Sequence, residues 1–401
     1  MIRKILSNGL TVILNKRKSN SVVIEITAKS GSNNEDEKNL GISHFIEHLM
    51  FNGTKNRSSR EIVERIESVG GEFNAITWNE RTSFYVKLPS KYFGIALNVL
   101  SDCIKNSVFD QKEIDKERNI ILSEIDIHND TPTSYQWLFF QSKLFKKIKA
   151  KYPIIGTKET VKSINRKAIL DFYERYYHSN NIIVTVVGNF ESDIVKKIEN
   201  EFKDFKGKKL GRDEIITEPN QTKPEEYIES RNLDHSYLMI GYKVPGRTDK
   251  ESYVLDVIRI ILGTGLSSRL SYEIRIKRGL GYSVGCHYDG NKNYGFFVAF
   301  VTTDKTNIKE CKNIIINEYK KIKHVSKEEL EKAKRFIEGQ YLMDNEDNFK
   351  RADLLSIFEV VKEAKLADSY IKEINNITIE DIKRVASKYF KDNYCLTILT
   401  N

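Results

Sequence analysis

The strongest constraint on the fold is that the chain carries much of one pattern twice. Ser58-Ser59-Arg60 recurs as Ser267-Ser268-Arg269, 209 residues later, and at the same offset Gly70 falls on Gly279 and Glu80 on Asp289. Further on, Tyr177-His178-Ser179-Asn180 precedes a strand-like run at 182–187, and Phe390-Lys391-Asp392-Asn393 precedes another at 394–399, an offset of 213. An insertion of four residues reconciles the two offsets. Each match is weak alone, but their shared order over most of both halves points to a duplicated domain, so the second half should repeat the fold of the first. Residues 205–226 hold Gly207, Gly211, Pro219 and Pro224 among charges, the composition of a linker. The expected division is an N-terminal domain over 1–205, a linker over 206–226 and a C-terminal domain over 227–401.

Within that frame strands alternate with long helices, an α+β pattern in which each domain packs helices on a mostly antiparallel sheet. Residues 10–14 and 22–28 read as paired strands, 41–52 as a helix, and 58–69 as an amphipathic helix closed by Gly70-Gly71, where glycine accepts the left-handed cap conformation. Residues 73–78 and 82–88 alternate as a hairpin, 91–105 and 111–127 read as helices, and 182–187 is a β-branched run suited to a buried strand.

Composition excludes several classes of protein. With 30% charged and 40% hydrophobic residues the chain has a globular profile, not a disordered, collagen-like or disulfide-stapled one. The net charge of +9 comes from 65 basic against 56 acidic residues, interleaved along the whole length, which reads as a solvated surface and not as a nucleic-acid stripe. No apolar run reaches the roughly 18 residues needed to span a bilayer. The apolar stretch at the N-terminus is too short for a signal peptide. The cysteines Cys103, Cys286, Cys311 and Cys395 are scattered, with no C-x-x-C pair, as expected of thiols in a reducing compartment. The expectation is a cytoplasmic protein without nucleic-acid or membrane partners.

The chemistry is concentrated in His44-Phe45-Ile46-Glu47-His48. Histidines at i and i+4 stand one above the other on a helix, the spacing that lets two imidazoles share a cation. Glu47 projects over the same side, where it can take a proton from a water on that cation. The order H-x-x-E-H inverts the commoner zinc-protease helix. With seven histidines in 401 residues, a chance occurrence of the pentapeptide is on the order of one in a hundred. A catalytic zinc needs a third protein ligand and an open position. The helix at 111–127 offers Glu113, Asp115, Glu117, Glu124 and Asp126; Glu117 and Glu124 share a face two turns apart, and spacing alone leaves the choice open. Ile114, Ile121 and Ile125 mark its core side.

The segment Gly41-Ile42-Ser43-His44-Phe45-Ile46-Glu47-His48-Leu49-Met50-Phe51-Asn52-Gly53-Thr54 resembles the active-site segment of the pitrilysin-type M16 metallopeptidases, the inverzincins, which include mitochondrial processing peptidase and insulin-degrading enzyme. The resemblance covers nearly the whole chain. It implies one Zn2+ per chain, held by His44, His48 and Glu124, the last standing 76 residues past His48 as in that family. It assigns Glu117 the supporting carboxylate, and makes Phe73, Asn74 and Ala75, after Gly70-Gly71, part of an edge strand that pairs with substrate. In the second half the stretch from Leu262-Gly263 through Ser267-Ser268-Arg269-Leu270 also fits, with Arg275 and Tyr282 reaching the substrate. Thr264 stands where a glycine is usual and Gly281 where alanine is common; neither touches the metal motif. The implied architecture is two homologous domains set clam-like around a peptide chamber. A chain of this length resembles the smaller type of the family, which pairs two chains, so a homodimer is expected.

The internal offset gives a check that needs no family. Carried forward 209 residues, His44, Glu47 and His48 land on Tyr253, Asp256 and Val257, so the second repeat cannot bind zinc in the same way. The reading is a zinc endopeptidase acting on peptides or short unfolded segments: Glu47 moves the proton, Arg275 and Tyr282 steady the oxyanion or the bound peptide, and Glu117 orients a ligand. The alternative is a non-catalytic peptide-binding or processing-partner subunit of the same fold, which the intact His44, Glu47, His48 and Glu124 disfavour.

Overall fold

In the computed structural model, residues 1–209 and 216–401 are described, and they form two units. Residues 210–215, among them Gly211 of the expected linker, lie outside the described residues. The first unit comprises Met1–Asp126, Tyr152–Ile215 and Asp344–Ala367; the second comprises Ile127–Lys151, Ile216–Met343 and Asp368–Asn401.

The first half of the chain forms β1 (Ile2–Ile5), β2 (Thr11–Lys16), β3 (Ser21–Ala28), α1 (Ile42–Leu49), α2 (Ser59–Glu67), β4 (Glu72–Thr77), β5 (Thr82–Pro89), α3 (Phe93–Asn106) and α4 (Gln111–Asp130). It continues through α5 (Pro132–Leu144), α6 (Lys158–Ser163), α7 (Arg166–Tyr176), β6 (Ile182–Gly188) and α8 (Ile194–Phe202). The second half forms β7 (Glu225–Ser230), β8 (Ser236–Val244), α9 (Glu251–Gly263), β9 (Gly281–Gly290), β10 (Gly295–Thr303), α10 (Ile308–Lys321), α11 (Lys327–Asp344), α12 (Asn348–Val361), α13 (Leu366–Asn375), α14 (Ile379–Tyr389) and β11 (Cys395–Thr400).

The duplication is visible in the sheets. The first unit orders its strands β1-β2-β6-β3-β5-β4 and the second β7-β11-β8-β10-β9. Strand for strand, β2, β6, β3, β5 and β4 answer β7, β11, β8, β10 and β9. Each sheet is antiparallel except for one parallel pair, β2 with β6 and β7 with β11. Gly70 and Gly279, matched by the offset, both adopt the left-handed conformation, with φ of 71° and 65°. The structure corrects one expectation. Segments 10–14 and 22–28 are strands but not partners, because β6 lies between them, parallel to β2 and antiparallel to β3. Every residue of β6 is buried, so this apolar run needs a neighbour on both sides.

Two helical segments cross the linear division expected at 206–226. Helix α5 and the residues after it belong to the second unit, where Phe140, Leu144, Phe145 and Ile148 pack with Met239, Phe296 and Val298. Its counterpart α12 belongs to the first unit and covers β3 and β6. That contact is partly ionic. Arg81 lies 2.7 Å from Asp353 of α12 and 3.7 Å from the fully buried Glu25 of β3, while Thr185 and Ser356 share a hydrogen bond of 2.9 Å. Alternation along β3 puts Val22, Ile24 and Ile26 into the main core and leaves Glu25 and Thr27 on the α12 side. A half of the chain therefore completes its partner's sheet, which hydrophobic periodicity alone does not disclose.

Candidate metal centre

Helix α1 is seated by its apolar face. Ile42, Phe45, Ile46 and Leu49 are buried in the main core of the first unit. That leaves His44, Glu47 and His48 half-buried along the opposite side. Helix α4 buries Ile114, Ile121 and Ile125 on the same core, as their spacing predicts. Its Glu117 and Glu124 are thereby turned toward α1.

His44, His48 and Glu124 each offer one ligand atom, all within 4.8 Å of one another, and they are the only such group among the described residues. Oε2 of Glu124 lies 3.5 Å from Nε2 of His48 and 3.9 Å from Nε2 of His44. Donors about 2.1 Å from a tetrahedral ion would stand about 3.4 Å apart, so two imidazoles and a carboxylate fit one zinc here. The two histidine rings meet edge to face, with centroids 4.6 Å apart. Glu117 is placed differently. It is 7% exposed, its Oε2 lies 3.0 Å from Nδ1 of His48, and its Oε1 accepts from Asn52 Nδ2 at 2.9 Å. Such a carboxylate fixes the tautomer with the proton on Nδ1 and leaves the Nε2 lone pair free for a cation.

Glu47 accepts a hydrogen bond from the hydroxyl of Thr77, the last residue of β4. Burial pushes its carboxyl above the usual carboxylate range, against the opposing pull of Thr77 and of His48; Glu124 adds to the rise. Thr77 and Asn52 were not singled out by sequence reasoning. Asn52 repeats the four-residue step that joins His44 to His48 and was within reach of that periodicity, whereas Thr77 requires knowing that β4 runs beside α1.

Phe73, Asn74 and Ala75 lie on β4, the terminal strand of the first sheet, with Asn74 exposed and the other two partly buried. Arg275 and Tyr282 belong to the second unit. Arg275 lies in the last turn of a π-helical segment, Ser271–Ile276, and its guanidinium carbon stands 5.0 Å from the ring centroid of Tyr282, a side chain at the start of β9 that is 79% exposed. Where the second repeat would place its own metal site, Asp256 is engaged by Arg247 at 2.5 and 3.0 Å and by the Tyr370 hydroxyl at 2.9 Å, and Val257 is buried. A guanidinium thus faces the carboxylate that answers Glu47.

Comparison with known proteins follows the same outline. The family model described as Insulinase (Peptidase family M16) matches residues 10–158, and that described as Peptidase M16 inactive domain matches residues 163–337. An uncharacterized zinc protease of Rickettsia bellii is 31% identical, covering 97% of this chain and 94% of its own. One from Bacillus subtilis is 28% identical, covering 98% and 96%. A crystal structure of a protease from Helicobacter pylori superposes over 100% of this chain and 99% of its own, with a TM-score of 0.96 at 23% identity. A duplicated α+β chain with two histidines and a glutamate gathered in one half falls in the class of zinc-protease-like proteins. The chain belongs to peptidase family M16. Among the described residues no helix is long and apolar enough to cross a membrane.

Proposed function

We propose that the chain is a zinc-dependent endopeptidase with one zinc, held by His44, His48 and Glu124. The observation that carries this reading is the meeting of those three side chains beside Glu47. The family model described as inactive covers 163–337, a range without any of the three ligands. When bound, zinc supplies Lewis acidity, which acidifies water and polarises a carbonyl. Everything else falls to the chain. Glu47, whose carboxyl burial holds above the usual carboxylate range, takes the proton of the attacking water and gives it to the leaving amine. Glu117 holds His48 in its metal-binding tautomer. The outer edge of β4 at Phe73, Asn74 and Ala75 pairs with an extended peptide through backbone hydrogen bonds that are indifferent to side-chain identity, the Asn74 side chain yielding the Ala75 N–H from which it accepts at 2.8 Å. Thr77 closes that strand and touches Glu47, linking the docking edge to the base. Arg275 and Tyr282 steady the peptide or its oxyanion.

The substrate class is peptides and short unfolded segments, because an edge strand can pair only with extended backbone. We propose a homodimer in the cytoplasm; the four buried free thiols suit a reducing compartment. Incubating the zinc-loaded protein with a peptide library, with and without chelator, and reading the products by mass spectrometry tests the reading. Chelator-sensitive internal cleavage is expected, and an untouched library contradicts it. Sedimentation decides the dimer: an active monomer refutes it.

A further inference from the structure

We propose that Glu35 is a positioning residue for the metal centre, fixing the first turn of α1 and with it the reach of His44 and His48. The inference rests on reading His44, His48 and Glu124 as the ligands. A helix start leaves backbone N–H groups without partners inside the helix, and a side chain at the N-cap usually satisfies one of them. In α1 the N-cap is Gly41, with φ of 92° and no capping side chain. Glu35, six residues upstream, supplies the cap from outside. Its Oε2 accepts from the Gly41 N–H at 2.8 Å and its Oε1 from the Ser43 N–H at 2.9 Å.

Glu35 is 0% exposed, and each of its carboxyl oxygens accepts a backbone N–H in a region of low dielectric, where such bonds are strong. A carboxylate at a helix N-terminus also opposes the helix dipole favourably. The two donors sit two residues apart, on different sides of the first turn. Gripping both fixes the rotation of that turn as well as its height. Ser43 directly precedes His44, and one further turn of α1 carries the constraint to His48.

The opposite side of the same turn is pinned by close backbone approach. A Cβ on Gly41 would meet the Ile155 carbonyl oxygen at 2.6 Å and Gly156 Cα at 2.8 Å, and Thr160 donates its hydroxyl to the Leu40 carbonyl at 2.8 Å. The turn is held between Glu35 and the segment 155–160, so losing the Glu35 contacts frees the rotation that the segment does not control.

The test is zinc affinity by chelator competition, at a temperature well below unfolding, for wild type, Glu35→Gln, Glu35→Ala, His48→Ala and Ile62→Val. The last removes a methyl group from a buried residue of α2 and controls for general loss of stability. Glu35→Ala should bind zinc about ten- to a hundredfold more weakly, the usual effect of removing a group that orients ligands. Glu35→Gln, which keeps one acceptor oxygen, should fall between, and Ile62→Val should match wild type. With cobalt in place of zinc, the visible spectrum should shift in the Glu35 variants and not in Ile62→Val. If Glu35→Ala does not fold, the isosteric Glu35→Gln decides: affinity and spectrum equal to wild type overturn the proposal. His48→Ala separates the two levels, since stoichiometric zinc in that variant refutes the ligand reading itself.

Discussion

His48 is held from both sides of its ring: Nδ1 lies 3.0 Å from Glu117 Oε2, and Nε2 faces Glu124 Oε2 at 3.5 Å. The first contact fixes which nitrogen carries the proton, and the second marks where a cation would sit. Glu117→Gln keeps the shape but loses the charge that favours Nδ1–H. Zinc affinity measured by chelator competition should fall about ten- to a hundredfold, with near-normal binding stoichiometry at saturating metal. Unaltered affinity would mean that Glu117 does not orient His48.

Thr77 ties the end of β4 to the Glu47 carboxylate. A hydrogen bond to a charged group is worth about 1.5–3 kcal/mol when removed from a buried setting, so Thr77→Val should lower kcat about tenfold or more with KM little changed. Thr77→Ser keeps the hydroxyl and should restore most of the rate. A valine variant with wild-type kcat would separate β4 from the chemistry.

The contact between α12 and the first sheet should be sensitive to pH. Glu25 is fully buried, and burial first, then the nearby Asp353 carboxylate, pushes its carboxyl up to about 7, although Arg81 and hydrogen bonds from Ser83 and Thr27 pull the other way. One of its oxygens, Oε2, has no hydrogen-bond partner, which suits a neutral carboxyl. The folded chain therefore keeps a proton that the unfolded chain releases near 4.5. Between those values the folded state binds more protons, so stability is fully present below about 4.5 and declines as pH rises toward about 7. Denaturant titrations should show a loss on the order of 1–3 kcal/mol across that window. Glu25→Gln should flatten it, and a variant that keeps the same slope would place the titration elsewhere.

Gly70 and Gly279 provide a symmetric test of the duplication. Each has positive φ, and a Cβ at either would meet no atom within 4 Å, so alanine costs only backbone strain. Gly70→Ala and Gly279→Ala should each destabilise by about 1 kcal/mol in denaturant melts. A markedly unequal pair would show that the two turns have diverged in environment.

Most of the fold was legible because the repeat and the glycine punctuation survive in the sequence. The metal pair was legible because two histidines and a glutamate follow helical spacing, which is a local property. What was not legible depends on contacts between distant segments. The placement of β6 between β2 and β3, the seating of α12 on β3 and β6, and the contact of Thr77 with Glu47 join residues 30 to about 340 positions apart. Helical spacing alone left Glu117 and Glu124 equivalent, and only the family resemblance, with Glu124 standing 76 residues past His48, chose between them. Both lie on one face of α4, and the packing of α4 against α1 separates their roles. Glu35 escaped because a cap from six residues upstream has no fixed spacing signature.

The central claim is that Glu47 performs the proton transfer at a zinc held by His44, His48 and Glu124. It is tested most directly by comparing Glu47→Gln with wild type for bound zinc and for cleavage of a quenched fluorescent peptide. The account predicts about one zinc per chain in both, and peptide cleavage lowered about a hundred- to ten-thousandfold in the variant. A zinc-loaded Glu47→Gln protein that cleaves at the wild-type rate would contradict it.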